Sequence, residues 1–559
     1  MNLFKVIFLC TAGIVLAICL HAQTPCWMDV QSVGGTSQDE VYSMATDSVG
    51  NVYVTGYFGS NIDFGTTTLS SAGEHNIYVA KRNPDGDWLW ARKVEGTAYS
   101  LGYGIAIDSN DNCYITGEFL SHALFGSISL SGSGNMNSFV AKMDCNGNWL
   151  WARQAEVSSG NNGNSIAVDA DANIYIAGTF SNIAEFGTFI LNTSDNDVNT
   201  FVVKLDSNGN WLWARQSVVT DYAIALGLAL DSNSNIYLSG FFLGTSCFGE
   251  YALTSDSADM FVTKLDSNGN WLWARKAESA GAEGNIIAYS IAVDTMSNIY
   301  TAGSFQGTVS MGNDTLISTN HSDDIFVSKL DTNGNWLWAR QAGGQNHDQA
   351  IDIDIRSDNI LYVLGSFDGS ATFGNRTLDG FGSMDIFIAR MLTSGQWSTV
   401  NAAGGVGNDR GQCIVTCPVS EILASGSFTG SASFDGNTII SNGNSDIFIA
   451  EVHIATPVND DLEVPMPPFT IVNNYPNPFR GTTKIVVAIE DNKDVYELAI
   501  YDTRGRKIKN IHHGTLPKGE SSFTWMAEDE LSRNLPSGVY IYKLSNGATS
   551  QTKKMVLVK

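Results

Sequence analysis

Cysteine is scarce in this 559-residue chain: there are 8, and no two are spaced as CxxC. Cys10 and Cys19 fall in an apolar N-terminal run, and the other six are scattered, which argues against a disulfide-stapled scaffold or a cysteine zinc site. Cys413 and Cys417 are close but share one strand-like segment, poor geometry for a bridge. The eight histidines occupy unrelated positions, and no GxSxG elbow occurs, so no serine-hydrolase order is legible. Helical periodicity is missing throughout. Beyond the first 20 residues no apolar run is long enough to cross a membrane as a helix. Basic residues are few, 31 against 57 acidic. Residues 475–559 hold 13 basic and 9 acidic side chains, so with Lys5 set aside the body at 23–474 stands at −31 within a chain total of −26. Such a body repels nucleic acid and anionic membrane.

At the N-terminus, Lys5 precedes an apolar stretch at 6–20 and the small residue Ala22, the pattern of a signal peptide, residues 1–22. Ile18 before Cys19 and Pro25 before Cys26 do not fit a lipid-anchor site.

Internal repeats dominate the acidic body. WLWAR begins at Trp88, Trp149, Trp211, Trp271 and Trp336, with a worn copy at Trp397. Tyr-x-x-Gly-x-Phe centres on Gly56, Gly117, Gly178, Gly240, Gly303, Gly365 and Gly426, at spacings of 61 to 63, so seven copies are present. A third element runs from Phe139 to Lys142, Phe201 to Lys204 and so on to Phe448 and Glu451. Each copy reads as four strands, in the third copy 165–169, 173–180, 201–206 and 211–216, joined by Asn/Asp/Gly turns such as Asp206-Ser207-Asn208-Gly209-Asn210. Asp47, Asp108, Asp169, Asp231 and Asp294 are expected to cap the turn between the first two strands. The tryptophans at i and i+2 share one strand face and are expected to pack between copies.

The seventh copy ends near Glu451 without a tryptophan strand. Residues 26–31 precede Gly34-Gly35 much as 338–341 precede Gly343-Gly344. The sequence therefore predicts an all-β chain: a seven-bladed β-propeller over 23–454, closed by an N-terminal strand that leaves no unpaired edge. The repeat resembles the SBBP family of bacterial β-propeller repeats. That resemblance implies a propeller and extracellular use, but no single activity.

Pro457, Pro465, Pro467 and Pro468 among acidic residues predict a stiff linker at 455–474. The tail at 475–559 opens with Pro476-Asn477-Pro478-Phe479 and carries Asp502-Thr503-Arg504-Gly505, then Gly538-Val539-Tyr540-Ile541-Tyr542-Lys543. It resembles the type A C-terminal sorting domain of the type IX secretion system of Bacteroidota, a small Ig-like β-sandwich. The resemblance assigns the motif to Pro476, Asn477, Pro478, Gly505, Gly538, Tyr540 and Lys543. It implies the type IX secretion machinery as partner and a secreted or surface-attached product.

Function is expected to be binding or scaffolding, with surface glycans or other extracellular macromolecules as partners and a monomeric chain. The alternative is an extracellular propeller enzyme, a glycosidase or lyase, although no paired carboxylates stand out from the repeating acids. No catalytic residue and no cofactor is identified. One departure among the copies marks a candidate site: Gly-Gly followed by Asp39, Asp348 and Asp409 in the first, sixth and seventh copies, which closure makes neighbours. These three are expected on one rim of the central channel, beside Glu40 and Arg410, as turn caps or as a rim for a cation such as calcium or a polyhydroxylated ligand.

Overall fold

The computed structural model describes residues 25–454 and 469–558, apart from 72–74, 97–98, 133, 158–159, 194–196, 281–283, 418–421, 490–494, 503–505, 530–532, 534 and 547–549. The expected signal peptide and most of the expected linker lie outside the described residues. Two compact units divide the chain, 1–456 and 457–559. The described regular elements are strands, with one 3-10 turn at Thr319–His321.

Unit 1 is built from four-strand antiparallel sheets of the kind that make propeller blades. In the third copy Asn161–Val168, Ile174–Phe180, Asn199–Leu205 and Trp211–Gln216 pair in that order. Every residue of Ile174–Phe180 is buried, because the sheet is covered on both faces. This explains the run of apolar and small side chains where a one-faced strand would alternate. A Cβ on Gly178 would lie 2.0 Å from the Asn162 carbonyl oxygen and 2.7 Å from the Phe201 ring, so only glycine fits there.

The capping acids sit as expected. Asp169 Oδ1 accepts the N–H groups of Asp171 and Asn173, and its Oδ2 accepts the buried Tyr175 hydroxyl at 3.0 Å. Asp108 and Asp231 repeat the arrangement with Tyr114 and Tyr237.

The four-strand reading missed one element. Between its second and third strands the third copy carries a ribbon, Ile183–Phe186 with Phe189–Asn192; in the fourth copy Ile236–Phe248 and Tyr251–Leu265 run straight through it. The outer strand of one copy extends onto the ribbon of the next, as in Val218 opposite Cys247 and Ala342 opposite Phe373. Four-residue strands around a tight turn have too little pattern to be separated from loop.

The tryptophans do pack between copies. Trp213 Nε1 donates to the Ser267 carbonyl at 3.3 Å, its ring lies on Gly269, and Arg215 Nε donates to the Gly269 carbonyl at 2.9 Å. The same clasp joins Trp151 to Ser207 and Trp273 to Thr332. Each seam thus adds a buried aromatic to hydrogen bonds worth about 1 kcal/mol apiece.

Pro25–Val33 pairs antiparallel with Asp446–Ile454, in a sheet completed by Ile422–Phe428 and Arg410–Thr416. Trp27 is fully buried, 5.4 Å from Phe434, as Trp271 is 5.3 Å from Phe248. It therefore occupies the place of the first tryptophan of WLWAR, not that of Trp338. A bulge between Met28 and Gln31 absorbs the offset. Gln31 Nε2 donates to the Gly86 carbonyl at 3.1 Å, standing in for the arginine of the other seams. The buried Arg82 bridges Asp29 and Glu451 at 3.2 and 3.1 Å.

Unit 2 has a three-stranded sheet, Phe469–Tyr475, Thr483–Ile489 and Gly519–Trp525, and a four-stranded one, Lys507–Gly514, Tyr496–Asp502, Gly538–Ser545 and Ser550–Leu557. Both contribute to one core that includes Val487, Trp525, Leu498, Tyr542 and Met555.

Candidate functional site

The innermost strands of the successive copies each carry a β-bulge at the same repeat position. In the first copy the register slips between Val41 and Ser43, leaving Tyr42 unpaired. The corresponding slips in the other six copies leave out Tyr103, Asn164, Leu226, Tyr289, Ile351 and Gln412. All seven line one cavity of about 580 Å³. A bulge aims a side chain out of the ladder, so a repetitive scaffold here presents seven side chains of five types, three of them tyrosines, to a common space.

Two of the lining residues, Tyr42 and Tyr103, belong to an aromatic and acidic group whose other members lie behind the cavity surface. Tyr42 lies 5.3 Å from Tyr103 and 5.8 Å from Tyr57, ring to ring. Tyr57 stacks on His75 at 4.4 Å, and His75 meets Tyr99 at 5.2 Å. The Tyr103 hydroxyl donates to Glu118 Oε1 at 2.8 Å, and burial raises Glu118 above the ordinary carboxylate range. Glu40 Oε2 accepts from Gln412 Nε2 at 3.3 Å, and its Oε1 accepts from Ser445 Oγ at 3.2 Å. Sequence reasoning missed this group. The signal that could have found it was Tyr57 and Glu118, which stand where the third, fifth, sixth and seventh copies have Thr179, Ser304, Ser366 and Ser427.

Among the other lining residues Asp352 and Asp354 serve the backbone. Asp352 accepts the Ser290 hydroxyl at 2.6 Å and the Ile414 N–H at 2.8 Å, while Asp354 accepts the Thr416 N–H at 2.7 Å. They satisfy N–H groups of the neighbouring innermost strand that no further strand could pair. Burial pushes Asp352 up to about 7.

Asp39, Asp348 and Asp409 are fully buried. Asp39 Oδ2 accepts the Gly35 N–H at 2.7 Å and Oδ1 the Gly59 N–H at 3.2 Å. Asp348 repeats this with Gly344 and Asp368, and Asp409 Oδ1 accepts the Thr429 N–H. The carboxylate that acts most on each is an aspartate of the preceding copy: Asp446 on Asp39, Asp324 on Asp348, Asp385 on Asp409. Burial, then these like charges, push Asp39 and Asp348 up to about 7 and Asp409 to about 6. Among the described residues no group of three or more His, Cys, Asp or Glu gathers to hold a metal ion.

In unit 2 the sorting-motif residues stitch the tail together. Asn477 Oδ1 accepts the Val556 N–H at 2.8 Å, and buried Phe479 exchanges backbone bonds with Val556 and Val558. The Tyr540 hydroxyl donates to the Pro536 carbonyl at 2.9 Å, with its ring 5.6 Å from Trp525. Pro476 and Pro478 are exposed, Gly538 opens its strand, and Lys543 pairs with Ala499. Gly505 lies outside the described residues.

Comparison with known proteins agrees with this division. Residues 473–559 match the family of secretion system C-terminal sorting domains, and residues 31–64 match the SBBP beta-propeller repeat. An uncharacterised WD repeat-containing protein of Acanthamoeba polyphaga mimivirus is 28% identical over 338 residues, 47% of this chain and 24% of that protein. The regulatory protein FlaEY of Caulobacter vibrioides is 30% identical over 141 residues, 25% of this chain and 14% of that one. The chain thus spans under a quarter of the length of these relatives. Among solved structures, Sqt1 from Chaetomium thermophilum is 10% identical, with 75% of this chain and 98% of that one covered, at a TM-score of 0.38. The chain carries an SBBP β-propeller repeat and a type IX C-terminal sorting domain, which directs it to secretion and the cell surface.

Proposed function

We propose that the seven copies close into a seven-bladed propeller over residues 23–454, a monomeric, non-enzymatic binding protein that the Ig-like tail at 475–559 delivers outside the cell. Closure is supported by the pairing of Pro25–Val33 with Asp446–Ile454 and by one cavity that the innermost strands of all seven copies line. The observation that carries the binding role is the pair Tyr42 and Tyr103 at that cavity, backed by Tyr57, Glu40 and Glu118. Aromatic faces flanked by carboxyl and amide groups suit a polyhydroxylated ligand such as a surface glycan, which needs both stacking and hydrogen-bond acceptors.

A glycan array on the mature protein tests this reading. Tyr42→Ala with Tyr103→Ala is expected to weaken the retained glycan on the order of tenfold, about 1.4 kcal/mol. Cleavage of an arrayed polysaccharide would instead favour the glycosidase or lyase reading. Export is tested separately. Removing residues 475–559 is expected to leave a folded propeller in the periplasm, and normal release of the truncated chain would refute the tail as the signal.

A further inference from the structure

The junctions between copies hold two facing positions, one at the start of the third strand of a copy and one at the start of the innermost strand of the next. Between the second and third copies these are Asn137 and Asn161, both buried. At the last three junctions they are Asp324 with Asp348, Asp385 with Asp409, and Asp446 with Asp39, and all six side chains are buried. The first glycine of each Gly-Gly pair makes room, Gly34 for Asp446, and Gly343 and Gly404 for both members of their pairs. A Cβ on Gly404 would lie 2.1 Å from Asp385 Oδ1 and 3.1 Å from Asp409 Oδ2, so the two oxygens face one small space. At Gly343 the corresponding distances are 3.0 Å to Asp324 Oδ1 and 3.0 Å to Asp348 Oδ2. Gly343 and Gly404 also hold φ of 146° and 149°, which glycine adopts freely.

The remaining oxygens are engaged by N–H groups. Asp385 Oδ2 accepts from Phe381 and Gly382, Asp446 Oδ2 from Asn442, and Asp324 Oδ2 from Thr319. Asp385 Oδ1, Asp409 Oδ2 and Asp446 Oδ1 are buried without a well-formed hydrogen bond, although the Gly405 N–H acts on both Asp385 and Asp409 and the Gly443 N–H on Asp446. The charged neighbours that act on these six are themselves acidic: Glu40 on Asp39, Asp368 on Asp348 and Asp385, Asp323 on Asp324. Of the nearby imidazoles, His347 is bound to Asp323 at 3.0 Å and His321, three residues from Asp324, is exposed, as is Arg410, next to Asp409. Two buried carboxylates cannot both stay ionised at such range without a compensating charge. Calcium would want six to eight oxygen ligands, whereas these pairs are ringed by N–H donors. A proton needs only the two oxygens that face each other.

We propose that each of the three aspartate pairs holds one shared proton, so that mild acid tightens these junctions and alkali loosens them. The proton lies between facing oxygens such as Asp385 Oδ1 and Asp409 Oδ2, making a carboxyl-to-carboxylate hydrogen bond. All six groups are displaced upward in the folded chain, Asp324 to about 6 beside the values above. Raised values give a definite sign: the stabilisation is full below the ordinary carboxylate pKa near 4 and is lost as pH climbs through about 6 to 7.

Thermal melts of the mature protein between pH 5 and 8.5 test this, in high salt to screen repulsion across the acidic surface. The melting temperature is expected to fall by several degrees as pH rises through 6 to 7. Asp324→Asn, Asp385→Asn and Asp446→Asn together are expected to flatten that fall and to raise the melting temperature at pH 8.5. If the triple variant does not fold, Asp385→Asn alone is expected to remove about a third of the slope. A flat wild-type profile, or a slope unchanged in the variants, overturns the proposal. So does a calcium-dependent rise at pH 8.5 that the variants lose, which would assign the pairs to a cation.

Discussion

Between the second and third copies an asparagine pair closes the junction, and between the sixth and seventh an aspartate pair does, on the same backbone. An amide carries no charge at any pH: Asn161 Oδ1 takes the Ser138 N–H, and its Nδ2 is left buried without a well-formed hydrogen bond. Two carboxylates only accept, so the facing oxygens of Asp385 and Asp409, which make no well-formed hydrogen bond, would gain a donor from a shared proton. A second contrast runs around the outside. Five seams use tryptophan and arginine on a glycine turn, whereas the seam of the N-terminal strand uses Gln31, Arg82, Asp29 and Glu451. These seams share their geometry but not their chemistry, and the energetic weight of each should follow its chemistry.

The heaviest expected effect comes from deleting residues 23–35. That change strips Trp27 from its pocket and exposes the edge of Asp446–Ile454, so aggregation or loss of the cooperative melt is expected. A variant that stays monomeric with an unchanged melting temperature would break the reading of the strand as a closing element. Trp213→Ala, within a standard seam, should cost about 3–5 kcal/mol in denaturant unfolding, since it empties the contact on Gly269. Gln31→Ala at the closing seam removes a single hydrogen bond and should cost about 1 kcal/mol. Equal losses for these two would mean that the closing seam is not the lighter one. Leu212, the second residue of its WLWAR, is 43% exposed, and Leu212→Ser should stay within about 0.5 kcal/mol.

Much of unit 1 was legible because its determinants are local. An aspartate two and four residues from the N–H groups it caps, a glycine opposite a neighbouring carbonyl, and tryptophans at i and i+2 are all set by strand and turn geometry. Those signals recur at a fixed period, and the tail announced itself in the same way through Asn477-Pro478-Phe479. The ribbons were not legible, being short and turn-like. The partners of the marked aspartates were present in the sequence as Asp324, Asp385 and Asp446, where the early copies have Asn76, Asn137 and Asn199. Nothing in a linear reading joins them to Asp348 and Asp409, 24 residues on, or to Asp39 at the other end of the chain.

By itself the sequence determined the repeat, the strand content, the turn chemistry and the address on the tail, because each depends on residues within a few positions of one another. Only the tertiary structure decided that Trp27 sits beside Phe434, that bulges turn Tyr42 and Tyr103 into a shared cavity, and that aspartates meet in buried pairs. Those contacts depend on how one sheet stacks against the next. A side-chain period of two fixes which face a residue occupies and carries no information about what lies across it.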